Sequence, residues 1–192
     1  MVTNLLKDNN SLKIGIVSFS TNTDISKEGT IEDATVIFNL SNNASSLSNA
    51  IDTIETNGPR TNLESGLALA KTLFTSEQNN KYMIVLTDGD PNVAIDYDKT
   101  YYSDDVISKT KSCLQQISSS GINLITMLTG ISDESYIPAT TTKSFGAIIS
   151  EIFGTPENPT AGKFYYITDN KIENTINDIY NSLVSTDKTL KN

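Results

Sequence analysis

The stretch KYMIVLTDGDPN, Lys81 to Asn92, joins an apolar run directly to a cluster of carboxylates. The run from Tyr82 to Thr87 has the length and the branched apolar side chains of a strand that is covered on both faces. It ends at Asp88, the first carboxylate of the cluster. Ligands of open α/β sheets bind at the carboxyl ends of the strands, so Asp88 lies where a binding site is expected.

Two other interpretations of Asp88 need no such site. An Asp-Gly dipeptide is a common turn, because the Asp side chain bonds the backbone downstream of it. A calcium loop is the second possibility, since Asp88, Asp90 and Asn92 match the first, third and fifth positions of an EF-hand. However, Val93 stands where that loop needs glycine, and Lys99 stands where it needs a bidentate glutamate.

Short apolar runs alternate with amphipathic segments along the rest of the chain. Further strands are predicted at Lys13–Phe19, Ala34–Leu40, Asn123–Leu128 and Lys163–Ile167. Helices are predicted from the apolar stripes Leu47–Ile54, Leu63–Phe74, Val106–Ile117, Phe145–Ile152 and Ile172–Leu183. Asn170 and Glu173 form a capping-box pattern at the start of the last helix. This alternation favours a mostly parallel α/β sheet with helices on both faces.

The composition excludes several classes of function. The formal net charge of -9 and the pI near 4.4 argue against binding to nucleic acid or to an anionic membrane surface. The chain has no histidine and one cysteine, which excludes Ser-His-Asp catalysis, an intrachain disulfide and Cys/His zinc sites. It has no apolar run long enough to span a bilayer. A bound metal would therefore be a hard cation with oxygen ligands.

A second candidate stretch is NGPRTNLESGLALAKTLF, Asn57 to Phe74. Thr61 or Asn62 begins the predicted helix, and the commoner role for such a residue is the N-cap. The functional interpretation places the hydroxyl of Thr61 and the carboxylate of Asp88 at the same end of one sheet. Two hard oxygen donors there could share a divalent cation.

The order of these segments resembles a von Willebrand factor type A (VWA) domain over nearly the whole chain. The Thr61 loop and LTDGDPN are the most specific pieces, and GINLITM and GKFYYI agree in order and spacing. The resemblance implies a single domain over 1–192 with a Rossmann-like sheet, mostly parallel with one antiparallel edge strand. It also implies a metal-ion-dependent adhesion site with ligands from an Asp-x-Ser-x-Ser segment, a Thr and an Asp. Thr61 matches the second element of that site, and Asp88 matches the third.

The first element of the family site has no counterpart in the chain. Family members carry a central strand and Asp-x-Ser-x-Ser before the segment that matches LKIGIVSFS, where this chain has eleven residues. We expect an N-terminally truncated domain in which 1–11 are the remnant of the first helix and 186–192 are a disordered tail. The strands Lys13–Phe19 and Tyr82–Thr87 would then lose a shared neighbour and expose their backbone edges.

The resemblance implies a protein-binding module of the adhesion type, and not an enzyme. We expect Thr61 and Asp88 to bind Mg²⁺, or alternatively Ca²⁺ or Mn²⁺, weakly or not at all in this chain alone. The expected partner is a protein that presents an acidic group. The chain has no signal peptide, but Ser, Thr and Asn make up roughly a third of it, which favours a bacterial surface or secreted location for the full-length protein. The alternatives are a Mg²⁺-dependent hydrolase that uses Asp88 and Asp90, and an intracellular chelatase-type assembly protein.

Overall fold

The computed structural model describes residues 6, 12–22, 24, 26–55, 58–75, 80–88, 91–130, 133–167 and 174–181. The strands are Ile14–Phe19 (β1), Ala34–Ser41 (β2), Lys81–Thr87 (β3), Ile122–Thr129 (β4) and Lys163–Ile167 (β5). The helices are Ala44–Ile51 (α1), Leu63–Thr72 (α2), Asp104–Ser119 (α3), Phe145–Phe153 (α4) and 174–181 (α5), with a short 3₁₀ turn at Ile31–Asp33. All five predicted strands are confirmed, and their ends differ from the prediction by at most one residue.

The strands form two separate sheets. Strands β1 and β2 pair antiparallel, and β3, β4 and β5 form a parallel sheet in that order. The predicted antiparallel edge strand is therefore β2. Within the described part of the chain, β1 pairs only with β2, and β3 pairs only with β4 along one edge. Among these described residues no strand lies between β1 and β3, in agreement with the expected gap.

The main core lies on one face of the parallel sheet. Alternation along the strands directs Met83 and Val85 of β3 to this face, where Leu124 and Leu128 of β4 join them. Helices α2, α3 and α4 cover this face with the buried side chains Leu63, Leu67, Ile107, Leu114, Ile117, Ile148, Ile149, Ile152 and Phe153. These apolar stripes follow the predicted helical spacing.

The opposite face of the parallel sheet is only partly covered. Ile179 of α5 packs on Ile125 and Met127 of β4, so the prediction of helices on both faces is confirmed. In β3, Ile84 and Leu86 lie beside these two residues in register, yet they are 40% and 58% exposed. The prediction that β3 is covered on both faces is wrong, because α5 packs on β4 and β5.

The first predicted helical stripe is also wrong at its end. Leu47 is fully buried, but Ile51 and Ile54 are 40% and 45% exposed. Helix α1 ends at Ile51 because the amides of Thr53 and Ile54 bond the carbonyls three residues earlier, which tightens the last turn. Leu6 is helical and buried. The rest of 1–11, the capping pattern at Asn170 and the predicted tail 186–192 lie outside the described residues.

Candidate functional site

A groove of about 790 Å³ opens between the carboxyl ends of β1 and β3. Its walls include Val17 and Phe19 from β1 and Leu86 from β3, so the two strands end at the same side of the molecule. Thr61 and Asp88 both line this groove. The structure thus brings the two residues predicted from sequence to one surface, at the edge where α/β sheets bind ligands.

The backbone of Thr61 is hydrogen-bonded to the loop that follows β3. Thr61 forms a parallel bridge with Pro91, and its amide donates to Oδ1 of Asn92 at 2.9 Å. Its carbonyl accepts from the amides of Asn92 at 3.1 Å and Val93 at 3.3 Å. These contacts fix the position of Thr61 relative to the end of β3 and leave its hydroxyl out of the backbone pairing.

The N-cap of α2 is Asn62 and not Thr61. Oδ1 of Asn62 accepts from the amide of Ser65 at 3.0 Å, and Nδ2 donates to Asp33 Oδ2 at 2.8 Å. Asn62 is fully buried. The sequence did not decide whether Thr61 or Asn62 is the N-cap. The structure assigns this role to Asn62, because its amide side chain accepts a hydrogen bond from the helix end and donates one to the Asp33 carboxylate.

This assignment predicts different stabilities for two neighbouring variants. Asn62→Ala removes the cap and a partner of Asp33, and we expect it to lower the free energy of unfolding by roughly 2 kcal/mol. Thr61→Ala removes no cap, and we expect a loss below about 0.5 kcal/mol. Urea unfolding followed by circular dichroism measures both. Equal losses in the two variants would contradict the assignment of Asn62 as the cap.

The buried carboxylate of Asp33 organises the loops on the β1 side of the groove. It is 4% exposed and lies at the end of the 3₁₀ turn before β2. Oδ1 accepts from the amide of Asn22 at 2.7 Å, and Oδ2 accepts from the amide of Gly29 at 2.7 Å and from Asn62. Its oxygens are therefore engaged by protein donors, which makes Asp33 a support for the groove and not a free ligand.

A second buried carboxylate, Glu28, ties three loops together. It is 3% exposed and accepts from Arg60 Nη1 at 2.8 Å and from the hydroxyls of Tyr97 and Tyr101 at 2.5 and 3.1 Å. The guanidinium of Arg60 lies 4.1 Å above the ring of Tyr101. Burial, and then the bond to Glu28, raise the pKa of Tyr97. Tyr97 is thus a buried structural residue.

Asp24 does not line the groove with Thr61 and Asp88. Asp24, in the nearest match to Asp-x-Ser-x-Ser, accepts from the amide and hydroxyl of Ser26 at 3.0 and 2.7 Å. These bonds hold the pKa of Asp24 below its usual range and close a local turn outside the groove lining. Asp90 lies outside the described residues.

The groove offers few ligands for a divalent cation. In the ranges that the structure describes, no three acidic or cysteine side chains cluster closely enough to hold a metal. The groove contributes the exposed carboxylate of Asp88 and the hydroxyl of Thr61. The hydroxyl of Thr21, which is 1% exposed, lines the same groove and lacks a hydrogen-bond partner among the described residues. Since Mg²⁺ commonly keeps several waters and takes one or two carboxylates, this donor set fits a weakly held ion.

Comparison with known proteins supports the family expected from the sequence. The model of the von Willebrand factor type A domain matches residues 1–169. The chain belongs to the VWA family. Domains of this family typically mediate protein interactions and are generally not enzymes. A search of curated proteins found no significant match.

Solved structures show the same fold at low sequence identity. The vWF domain of the type V pili tip protein Mfa5 from Porphyromonas gingivalis has a TM-score of 0.63 and 11% identity, over 96% of this chain and 85% of that one. The conserved hypothetical protein BatB from Bacteroides thetaiotaomicron has a TM-score of 0.56 and 15% identity, over the same shares. Proximal thread matrix protein 1 from the mussel byssus has a TM-score of 0.53 and 15% identity, over 92% of this chain and 37% of that one. None of the described helices of this VWA domain is long and apolar enough to cross a membrane.

Sequence reasoning missed the residues that hold the site in place. Arg60 and Asn92 lie inside the two stretches quoted above, close in sequence to Thr61 and Asp88 respectively. This closeness was the sequence signal that could have identified them as supporting residues. Glu28 and Asp33 lie on the β1–β2 connection and carried no such signal, because their partners are distant in sequence.

Proposed function

We propose that this VWA domain is a protein-binding module of the adhesion type, in which Thr61 and Asp88 hold a divalent cation weakly. The observation that carries this proposal is that both side chains line one groove at the carboxyl ends of β1 and β3. A hydroxyl and a carboxylate are suitable donors for Mg²⁺, Ca²⁺ or Mn²⁺. Water fills most of the remaining coordination positions.

The partner supplies an acidic group to an open coordination position of the ion. Without a cation the groove repels such a group, because the carboxylates of Glu55 and Asp88 line it, while Glu32 is paired with Lys27 and the guanidinium of Arg60 with Glu28. A divalent ion beside Asp88 reverses the local sign of the charge. Recognition then depends on the ion, and no covalent bond forms or breaks.

The proposal extends to a location at the cell surface. The solved structure of a pili tip vWF domain shares this fold over most of both chains. The composition, rich in Ser, Thr and Asn and poor in Lys and Arg, agrees with such a location.

The test is a titration of the chain with Mg²⁺ and Mn²⁺ by calorimetry, with Mn²⁺ line broadening in NMR spectra to locate the ion. We expect a dissociation constant on the order of 1 mM, since few protein ligands are available. Asp88→Ala abolishes binding, Thr61→Ala weakens it, and Thr61→Ser retains it. The matched control is Asp52→Ala, which removes an exposed carboxylate at the end of α1, outside the groove lining.

Unchanged affinity in both Asp88→Ala and Thr61→Ala would contradict the proposed site. Equal weakening by Asp52→Ala would do so as well, because the ion would then respond only to the net charge of the chain.

A further inference from the structure

The loop 91–103, between β3 and α3, contains the most unusual backbone of the protein. Among the described residues, the non-glycine residues with positive φ are Asp96, Lys99 and Tyr102, at 50°, 64° and 58°. All three lie in this loop. Left-handed backbone costs free energy for a residue with a Cβ, and most for a bulky residue such as Tyr102. Such a conformation persists only where surrounding contacts stabilise it, and it clusters at functional sites.

Tyr102 contacts two different parts of the molecule. Its ring packs on Phe145 at the start of α4, with 5.6 Å between the ring centroids. Its hydroxyl accepts from Nδ2 of Asn92 at 3.3 Å, and its backbone amide donates to the Asn92 carbonyl at 3.3 Å. The ring is therefore held at the edge of the main core, while the hydroxyl and the amide hold Asn92.

Asn92 bonds Thr61 on its other side. Oδ1 of Asn92 accepts from the Thr61 amide at 2.9 Å, and the Asn92 amide donates to the Thr61 carbonyl at 3.1 Å. The orientation of the side-chain amide follows from chemistry, because the Thr61 amide can only donate and must face the oxygen. Nδ2 is then directed to Tyr102. Asn92 thus bonds Thr61 and Tyr102 with both its backbone and its side chain.

These contacts bear on the cation site because Thr61 supplies its hydroxyl there. The side chain of threonine is short and branched, so the position of its hydroxyl follows the backbone closely. Groups that orient metal ligands from outside typically change metal affinity tenfold or more when they are removed. A residue that fixes the backbone of Thr61 therefore sets the distance from its hydroxyl to the carboxylate of Asp88.

We propose that Tyr102 is a positioning residue for the cation site and that it acts through Asn92 on Thr61. This inference rests on the proposed function of Thr61 and Asp88. Tyr102 is not itself a ligand, and it lies outside the groove lining. Its ring is anchored on Phe145, and its hydroxyl sets where Asn92 holds Thr61. The strained backbone of Tyr102 is retained because a relaxed one would move the hydroxyl away from Asn92.

Three variants separate positioning from stability. Tyr102→Phe removes the hydroxyl and keeps the ring on Phe145, and we expect about threefold weaker Mn²⁺ binding. Asn92→Ala removes the side-chain bonds to both neighbours, and we expect at least about tenfold weaker binding. Tyr166→Phe is the matched control, because it removes a hydroxyl that donates to Glu134 Oε1 at 2.6 Å, outside the groove lining. We expect no change in Mn²⁺ affinity in that variant.

Two measurements are made on each variant. Water proton relaxation gives the Mn²⁺ affinity, and NMR gives the hydrogen exchange of the Thr61 amide without a metal. The exchange reports the bond to Asn92 whether or not the ion binds. We expect faster exchange of Thr61, by about threefold in Tyr102→Phe and at least about tenfold in Asn92→Ala. A merely structural role would lower the free energy of unfolding and leave the Mn²⁺ affinity of the folded protein unchanged.

Two results would overturn the proposal. The first is that Tyr102→Phe leaves the exchange of Thr61, or the Mn²⁺ affinity of a chain that binds the ion, at the wild-type value. The second is that Tyr166→Phe changes both quantities as much as Tyr102→Phe does. If the wild-type protein binds no Mn²⁺, the proposed cation site is refuted. Faster exchange of Thr61 in Tyr102→Phe but not in Tyr166→Phe would then still support the positioning of Thr61.

Discussion

Replacing Asp33 with alanine is expected to lower the free energy of unfolding by about 4 kcal/mol. The carboxylate is 4% exposed and accepts from the amides of Asn22 and Gly29 and from the side chain of Asn62. Alanine leaves these three donors without an acceptor in a buried position, and it leaves a cavity. The N-cap of α2 loses its support as well, so the backbone at Thr61 is expected to shift.

Two control variants separate the hydrogen bonds from the loss of charge. Asp33→Asn keeps the shape and one acceptor oxygen, and we expect it to lose roughly half as much stability as alanine. Asp52→Ala removes an exposed carboxylate and is expected to change the unfolding free energy by less than about 0.5 kcal/mol. Chemical denaturation of the three variants gives the comparison. A loss below about 1 kcal/mol in Asp33→Ala would show that water replaces the carboxylate at this position.

Gly58→Ala is the second substitution with a large expected effect. A Cβ at Gly58 would lie 1.8 Å from the carbonyl oxygen of Thr21 and 2.7 Å from its carbonyl carbon. Backbone atoms cannot rotate away as a side chain can, so the loop that contains Arg60 must separate from the end of β1. We expect a loss of roughly 3 kcal/mol and loss of the bond from the Thr21 amide to the Arg60 carbonyl, which measures 2.8 Å.

The matched control is Gly121→Ala, because a Cβ at Gly121 would meet nothing within 4 Å. Its backbone has φ of 79°, so the expected cost is about 1 kcal/mol of left-handed strain. Thermal unfolding ranks the two variants, and hydrogen exchange reports the amide of Thr21. A loss in Gly58→Ala no larger than in Gly121→Ala would mean that the two loops separate freely.

Most of the strand and helix positions were predictable because their signals are local. Apolar runs and helical spacing gave the strands and four of the helices to within a few residues. The apolar stripe predicted at Leu47–Ile54 was wrong at its end. Turn hydrogen bonds end α1 at Ile51, and the side chain of Ile54 is exposed. Periodicity shows which residues share a face, but it does not show whether another element covers that face.

The candidate site was predictable only in part. Thr61 and Asp88 were found because each follows a recognisable local pattern, a helix start and a strand end. Glu28 and Asp33 were not found, since a buried carboxylate and a solvated one look alike in sequence. Their partners Arg60 and Asn62 come from another loop, 32 and 29 residues away.

The sequence by itself determined the α/β class, the order of the strands along the chain and the absence of histidine chemistry. Those properties depend on residue types and on neighbours within a few positions along the chain, whereas the expectation of a gap beside β3 came from the resemblance to VWA domains. The tertiary structure alone decided that Asn62 is the cap, that Ile84 and Leu86 stay exposed and that buried carboxylates fix the loops of the groove. Each of these features depends on contacts between segments that are distant in sequence. Such contacts decide which side chains are buried and which hydrogen bonds form, and the local sequence pattern does not.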